Sequence, residues 1–107
     1  KTFIMGLFGI FSQKDSVEKI QEYLNNGAVV LDVRTLQEWN EGHIEGAKHI
    51  VLNTIPENLD AIKEFQKPII AVCKSGGRSQ SAKDFLEQNG LDVINGGPWQ
   101  NVAQFLD

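Results

Sequence analysis

The sequence predicts a single α/β domain, with a mostly parallel central sheet of about five strands and helices on both faces. Short apolar runs rich in β-branched residues alternate with segments whose apolar residues recur at helical spacing. The chain has 107 residues, of which 41% are hydrophobic, so it can form one core but not two. Strands joined through helices build an open parallel sheet that binds ligands at the carboxyl ends of its strands.

Four strands are predicted from the apolar runs. The run "IIAV" (69–72) is the strongest candidate for the central strand, and "AVVLDV" (28–33) is also typical of a buried strand. The runs "KHIVL" (48–52) and "LDVIN" (91–95) complete the set. A fifth strand is one interpretation of the apolar segment 1–14, and the domain itself is predicted to cover 15–107.

Five helices are predicted between and around these strands. Their ends are marked by capping-box pairs, by a proline in a first turn and by glycines after last turns. The predicted helices run from Asp15 to Asn26, from Thr35 to Gly42, from Pro56 to Phe65, from Arg78 to Asn89 and from Trp99 to Leu106.

The N-terminal segment "KTFIMGLFGIF" leaves three interpretations open. Its apolar stretch of nine residues before Ser12 is too short to span a bilayer, and no clear signal-peptide cleavage site follows. It is a first strand packed on the domain, a remnant of a targeting segment or of cloning, or an exposed arm. Met5 could be a natural start.

The net charge argues against two classes of partner, and the single cysteine bears on the cellular compartment. A formal net charge of -4 argues against a broad nucleic-acid interface, which needs a basic face, and against attraction to anionic lipid. A single cysteine forms no internal disulfide. A free thiol fits the cytoplasm, and the periplasm also stays open.

The stretch "IIAVCKSGGRSQSA" (69–82) carries the candidate chemistry. Cys73 follows the predicted central strand, and a loop with Gly76 and Gly77 leads into a helix. The glycines let backbone N–H groups point inward as an anion-binding nest, and the helix adds its unsatisfied N–H groups. Lys74 and Arg78 add positive charge. Together these features predict a nucleophilic thiol whose pKa lies below the ordinary value.

The loop "CKSGGRS" resembles the active-site loop of single-domain rhodanese-type sulfurtransferases. The stretch "LDVRTLQEWNEGHIEGAKHI" (31–50) resembles a second pattern of that family, and a glycine pair near the C-terminus agrees with it. The resemblance covers about 15–107 and implies a rhodanese-like three-layer fold. It further implies Cys73 as nucleophile and persulfide carrier, and an anion-binding loop made by Lys74, Ser75, Gly76, Gly77, Arg78 and Ser79.

The same resemblance implies the reaction and its partners. The domain would move a sulfane sulfur from thiosulfate, a polysulfide or a protein persulfide to a thiol or cyanide, as a monomer or homodimer. Its partners would be small sulfur-containing anions and thiol- or persulfide-carrying proteins, with no metal or organic cofactor. An alternative is a sulfur-relay or binding module with little turnover on free thiosulfate.

A cysteine-dependent phosphatase or arsenate reductase is the rival enzyme class. The usual phosphatase loop is Cys-x5-Arg, whereas this chain has four residues, Lys74 to Gly77, between Cys73 and Arg78. A smaller ring suits a single sulfur better than a tetrahedral phosphate. Val72 also stands where many tyrosine phosphatases have histidine.

Four further residues are expected to support the site. Asp32 is expected to accept hydrogen bonds from loop backbone rather than to transfer a proton. Arg34 and Glu38 are expected to form an internal ion pair that holds the following loop. His43 is expected to be a buried histidine bonded to backbone, because a lone histidine is poor evidence for metal.

Two residues depart from the family pattern. Lys74 replaces an arginine found in many members, which keeps the charge but loses planar bidentate binding of an oxyanion, so donors other than thiosulfate gain weight. Trp99 follows the glycine pair about two positions early. It is expected to pack or to line the mouth of the pocket, as is Trp39.

Overall fold

The structure is a computed structural model that describes residues 16–106. Its sheet contains β1 (Val29–Asp32), β2 (Lys48–His49), β3 (Ile69–Cys73) and β4 (Val93–Pro98). Its helices are α1 (16–25), α2 (Leu36–Asn40), α3 (Leu59–Lys63), α4 (Gly77–Gln88) and α5 (Trp99–Ala103), with short 3-10 turns at Leu52–Thr54 and Pro56–Asn58. The predicted fold class is confirmed. The candidate fifth strand and the Asp15 cap lie outside the described residues.

The four strands form one parallel sheet in the order β2-β1-β3-β4. All five residues of β3 are buried, because the strand has neighbours on both sides and helices on both faces. Asp32 pairs with Val72 in the register of β1 and β3. The polar residues that end β1 therefore lie beside Cys73, which ends β3.

Two apolar clusters, one on each face, make the three-layer architecture. The first packs α3 and α4 on the sheet through Ile62, Ala82 and Leu86, and it includes Cys73. The second packs α1 and α5 on the opposite face through Ile20 and Val102. The reactive strand end is thus held between two packed layers.

A bulge in β4 lets helix α5 approach the sheet. The pairing of β3 with β4 shifts register at Gly96, since Ala71 pairs with Asn95 and Val72 with Gly97. A Cβ added at Gly96 would lie 2.8 Å from the side chain of Ile70. Glycine is required there because β3 and α5 leave no room for a side chain.

Several predicted boundaries differ from the structure. The fourth strand runs on to Pro98 instead of ending at Asn95, and the last helix ends at Ala103 instead of Leu106. The second strand spans only Lys48–His49, because the chain enters a 3-10 turn at Leu52. Leu52 still donates its N–H to Val33 O at 3.1 Å. The predicted helix from Pro56 starts as a second 3-10 turn and becomes α-helical only at Leu59.

No helix within residues 16–106 is both long and apolar enough to cross a membrane.

Candidate active site

Cys73 ends the central strand and lies under the loop that follows it. Its residue exposure is 0%. The chain turns at Gly76, whose φ of 108° is left-handed and favours glycine. This turn brings the N–H of Gly76 within 3.0 Å of Cys73 Sγ, and the N–H of Ser79, in the first turn of α4, lies 3.4 Å from the same atom. Two backbone donors therefore converge on one sulfur.

The surroundings of Cys73 have opposing effects on the thiol. Burial raises the pKa of Cys73, whereas hydrogen bonding with the Ser79 side chain and hydrogen bonds from the N–H groups of Ser79, Gly76 and Ser75 lower it. The pKa of Cys73 lies below the ordinary thiol value. A lowered pKa increases the fraction of thiolate, which is the nucleophilic form of cysteine.

Arg78 and Glu38 form a bidentate ion pair across the mouth of the loop. The two guanidinium nitrogens donate to the two carboxylate oxygens at 2.8 and 2.9 Å. Glu38 also closes the capping box of α2 with Thr35, and the pKa of Glu38 is lowered to about 2, chiefly by Arg78. The pair joins α2 to the start of α4.

Arg34 is paired with Asp32 and not with Glu38, so the expected Arg34–Glu38 ion pair is wrong. Asp32 and Arg34 are both buried, and their closest ion-pair contact is 2.8 Å. Asp32 also accepts the backbone N–H of Arg34 at 3.0 Å, and Arg34 donates to Gly42 O at 2.7 Å. Arg34 lies two residues after Asp32 at the strand end, so its guanidinium folds back onto that carboxylate.

His43 is exposed, so the prediction of a buried histidine is wrong. The predicted backbone contact is present, since His43 Nδ1–H donates to Trp39 O at 2.7 Å. Its ring stacks on Trp39 at 3.6 Å between centroids, and His49 stacks on the same indole at 4.6 Å. The imidazole remains outside because Trp39 provides a surface for stacking.

A cleft of about 220 Å³ opens beside the loop. Its lining combines charged, polar and aromatic groups: Arg34, Glu38, Glu41, Gly42, Lys74, Trp99 and Gln100. The guanidinium of Arg34 lies 5.1 Å from the centre of the Trp99 ring, in cation–π contact. The exposed Lys74 is the one cation of this lining that is not paired to a carboxylate in the described chain.

Known proteins of one family are similar to this chain. The sequence model of the Rhodanese-like domain family matches residues 16–101. The chain belongs to the rhodanese-like domain family. It is 34% identical over 82 residues to the thiosulfate sulfurtransferase GlpE of Pseudomonas aeruginosa, covering 77% of this chain and 74% of that protein.

Solved structures also resemble this rhodanese-like domain. A rhodanese-like domain protein from Staphylococcus aureus is 30% identical with a TM-score of 0.68, covering 81% of this chain and 86% of that one. A protein from Staphylococcus saprophyticus is 36% identical with a TM-score of 0.67, covering 80% of this chain and 88% of that one.

Sequence reasoning missed one polar residue of the rhodanese-like site. Asn95 bonds to the Ser79 hydroxyl at 2.6 Å, to Gly76 O at 3.0 Å and to the Gly97 N–H at 2.8 Å. The available signal was that Asn95 is the polar residue at the end of the predicted strand 91–95. The described residues hold no cluster of three or more His, Cys, Asp or Glu suited to a metal ion.

Proposed function

We propose that this rhodanese-like domain is a sulfurtransferase that carries a sulfane sulfur as a Cys73 persulfide. The convergence of the Gly76 and Ser79 N–H groups on Cys73 Sγ carries the proposal, because it favours a thiolate at the end of a strand. The similarity to a relative named thiosulfate sulfurtransferase supports the same chemistry.

The first half-reaction loads the cysteine. The Cys73 thiolate attacks the sulfane sulfur of the donor and forms a new S–S bond. With thiosulfate, the original S–S bond breaks and sulfite leaves with its electron pair. The cysteine then carries a terminal sulfur with a negative charge.

The second half-reaction removes the sulfane sulfur from Cys73. A thiolate or cyanide acceptor attacks the terminal sulfur, and Cys73 Sγ leaves with the electron pair of the S–S bond. The products are a persulfide or thiocyanate and the original thiolate. No net electrons are gained or lost over the cycle, so the chain's own residues suffice.

The loop residues 74–79 would stabilise both anionic states of the cysteine. Lys74 provides a charge at the cleft, while Ser75, Gly76, Gly77 and Ser79 act chiefly through backbone N–H groups. The guanidinium of Arg78 would act indirectly, because Glu38 holds it and thereby fixes the start of α4. The N–H groups of that helix then remain directed at the sulfur.

Asp32, Arg34 and His43 would have supporting roles around this loop. Asp32 would hold Arg34 against Trp99 and Gly42, which shapes one wall of the cleft. His43 would hold the end of α2 through its bond to Trp39 O. Neither Asp32 nor His43 has a proton-transfer role in this proposal.

The charges of the cleft favour polysulfide or persulfide donors over thiosulfate. Arg34 and Arg78 are each paired with a carboxylate. Among the described residues that line the cleft, Lys74 is therefore the one cation free to bind the sulfonate group of thiosulfate. Glu41 lines the same cleft and would repel the sulfonate oxygens of thiosulfate, a group that polysulfides and persulfides lack. The same observation favours the second candidate function, a sulfur-relay module that accepts sulfur from a protein persulfide.

A steady-state assay with two donors tests the proposal. We expect cyanide-dependent thiocyanate formation with both thiosulfate and polysulfide, with a higher kcat/KM for polysulfide and none for Cys73→Ser. Turnover by Cys73→Ser at the wild-type rate would contradict the proposal, as would aryl phosphate hydrolysis with no sulfur transfer from either donor. Stoichiometric loading without turnover would indicate the relay module.

A further inference from the structure

The side-chain amide of Asn95 has an orientation fixed by two backbone groups. Gly97 N–H, which can only donate, lies 2.8 Å from one end, and Gly76 O, which can only accept, lies 3.0 Å from the other. The first end is therefore the oxygen and the second the NH₂ group. Gln80 Oε1 accepts from the same NH₂ group at 3.1 Å.

This orientation decides where the proton of the Ser79 hydroxyl lies. Ser79 Oγ is 2.6 Å from Asn95 Oδ1, which can only accept, so the hydroxyl donates its single proton to Asn95. Ser79 Oγ is also 3.2 Å from Cys73 Sγ. The hydroxyl therefore offers that sulfur only lone pairs, and the neutral thiol donates its S–H to Ser79.

When a solvent base removes the thiol proton, the sulfur changes from a hydrogen-bond donor to an acceptor. The thiolate has no proton to donate, and the Ser79 hydroxyl, unlike the Ser79 N–H, can stabilise it only by rotating its O–H away from Asn95 and toward sulfur. We propose that Asn95 is a positioning residue whose side-chain oxygen competes with the Cys73 thiolate for the proton of the Ser79 hydroxyl.

The competition would set the balance between thiol and thiolate. A thiol attacks fastest when its pKa is near the ambient pH, because a more acidic thiol is a weaker nucleophile. If Cys73 is the persulfide carrier proposed above, on which this interpretation rests, Asn95 keeps its thiolate from being over-stabilised. The charged groups around Cys73 are Lys74 in the loop, Arg78 on α4, and the Asp32–Arg34 pair at the end of β1.

The test is the pH profile of Cys73 alkylation by iodoacetamide, which needs no sulfur donor and so stands apart from sulfurtransferase activity. It compares Asn95→Ala with the parent chain, both with Ser79 and in a Ser79→Ala background. Any loosening of the loop through the lost Gly76 bond affects both backgrounds alike, so their difference isolates the competition.

We expect Asn95→Ala to increase the acid dissociation constant of Cys73 about two- to tenfold more with Ser79 present than in the Ser79→Ala background, which is the range for one neutral hydrogen bond. Gln80→Ala is the matched control, since Gln80 contacts Asn95 but not the sulfur, and its profile should equal that of the wild type. Equal effects of Asn95→Ala in both backgrounds, or a larger increase without Ser79, would overturn the proposal.

Asn95→Asp provides the second variant if Asn95→Ala does not fold. It keeps an oxygen for the Ser79 proton and binds that proton more strongly. Relative to the parent chain, Asn95→Asp should therefore raise the midpoint pH of the alkylation profile more with Ser79 present than in the Ser79→Ala background. A rise of the same size in both backgrounds would be an effect of charge alone and would refute the competition.

Discussion

Single backbone groups around Cys73 determine what its sulfur can do. The thiol is buried, and burial alone would disfavour the thiolate. The N–H groups of Gly76 and Ser79 oppose that effect, and the first depends on the left-handed conformation of Gly76. The lowered pKa of Cys73 thus depends on hydrogen bonds that the loop conformation provides.

Gly76→Ala should destabilise the domain by about 1–2 kcal/mol, because an L-residue at a φ of 108° is strained. A Cβ there would lie 3.5 Å from the Gly97 backbone, an ordinary van der Waals distance, so the cost comes from the backbone conformation. Urea unfolding measures the change in free energy. Gly77→Ala is the matched control: it has open space around a Cβ and begins α4, so its stability should equal or exceed that of the wild type.

At the scale of secondary-structure elements, one ion pair holds α2 against α4. Glu38 belongs to the capping box of α2, and its carboxylate binds the Arg78 guanidinium in a bidentate way. The start of α4, which directs its N–H groups at Cys73, is therefore fixed by a residue 40 positions earlier in the chain.

The Glu38–Arg78 pair should make stability depend on acid pH. The pKa of Glu38 is about 2 in the folded domain, below its ordinary value of 4.5. The carboxylate therefore stabilises the fold fully above pH 4.5, and this contribution falls as the pH drops toward 2. Glu38→Gln should flatten the unfolding free energy over that range, as followed by urea titrations at several pH values.

The exposed pair Lys83–Glu87 provides the control for that experiment. It joins two residues one turn apart on α4 and connects no other element. Glu87→Gln should leave the pH dependence as in the wild type. A Glu38→Gln variant with the wild-type slope between pH 4.5 and 2 would show that the pair does not act in this way.

At the scale of the whole molecule, the site depends on how closely two layers approach the sheet. Cys73 belongs to the cluster under α3 and α4, while the bulge at Gly96 lets α5 pack on the other face of the same strand. Trp99 at the start of α5 then contacts Arg34 and lines the cleft. The site therefore combines Cys73, which packs under one layer, with a cleft wall that the other layer provides.

Gly96→Ala should destabilise the whole domain by about 1–3 kcal/mol, because its methyl group would collide with Ile70, Val72 and Val102 in the core. Thermal unfolding followed by circular dichroism measures this change. If Gly96→Ala instead melts at the wild-type temperature, the core around β3 and α5 accommodates the methyl group and the prediction is wrong.

The sequence predicts the order of elements and the Cys73 loop because both depend on local patterns. The run 69–72 is apolar throughout, and the glycines after Cys73 mark the turn. The partners of Arg34 and Glu38 could not be predicted in the same way. Glu38 pairs with Arg78, 40 positions away, so its partner depends on how α4 approaches α2, which is a property of tertiary packing. With Glu38 held there, Arg34 pairs with Asp32 at its own strand end.

Asn95 and His43 show the same limit at the site. Asn95 contacts the Cys73 loop and α4 through residues 15 to 19 positions away, and local spacing does not show those contacts. His43 has the predicted backbone bond, yet its exposure depends on the Trp39 ring on which it stacks.

Mass spectrometry of the intact protein after incubation with thiosulfate or polysulfide tests the central claim most directly. The Cys73 persulfide predicts a gain of one sulfur atom on the wild type, its removal by cyanide, and no gain on Cys73→Ser. No sulfur adduct with either donor, or an equal gain on Cys73→Ser, would contradict it.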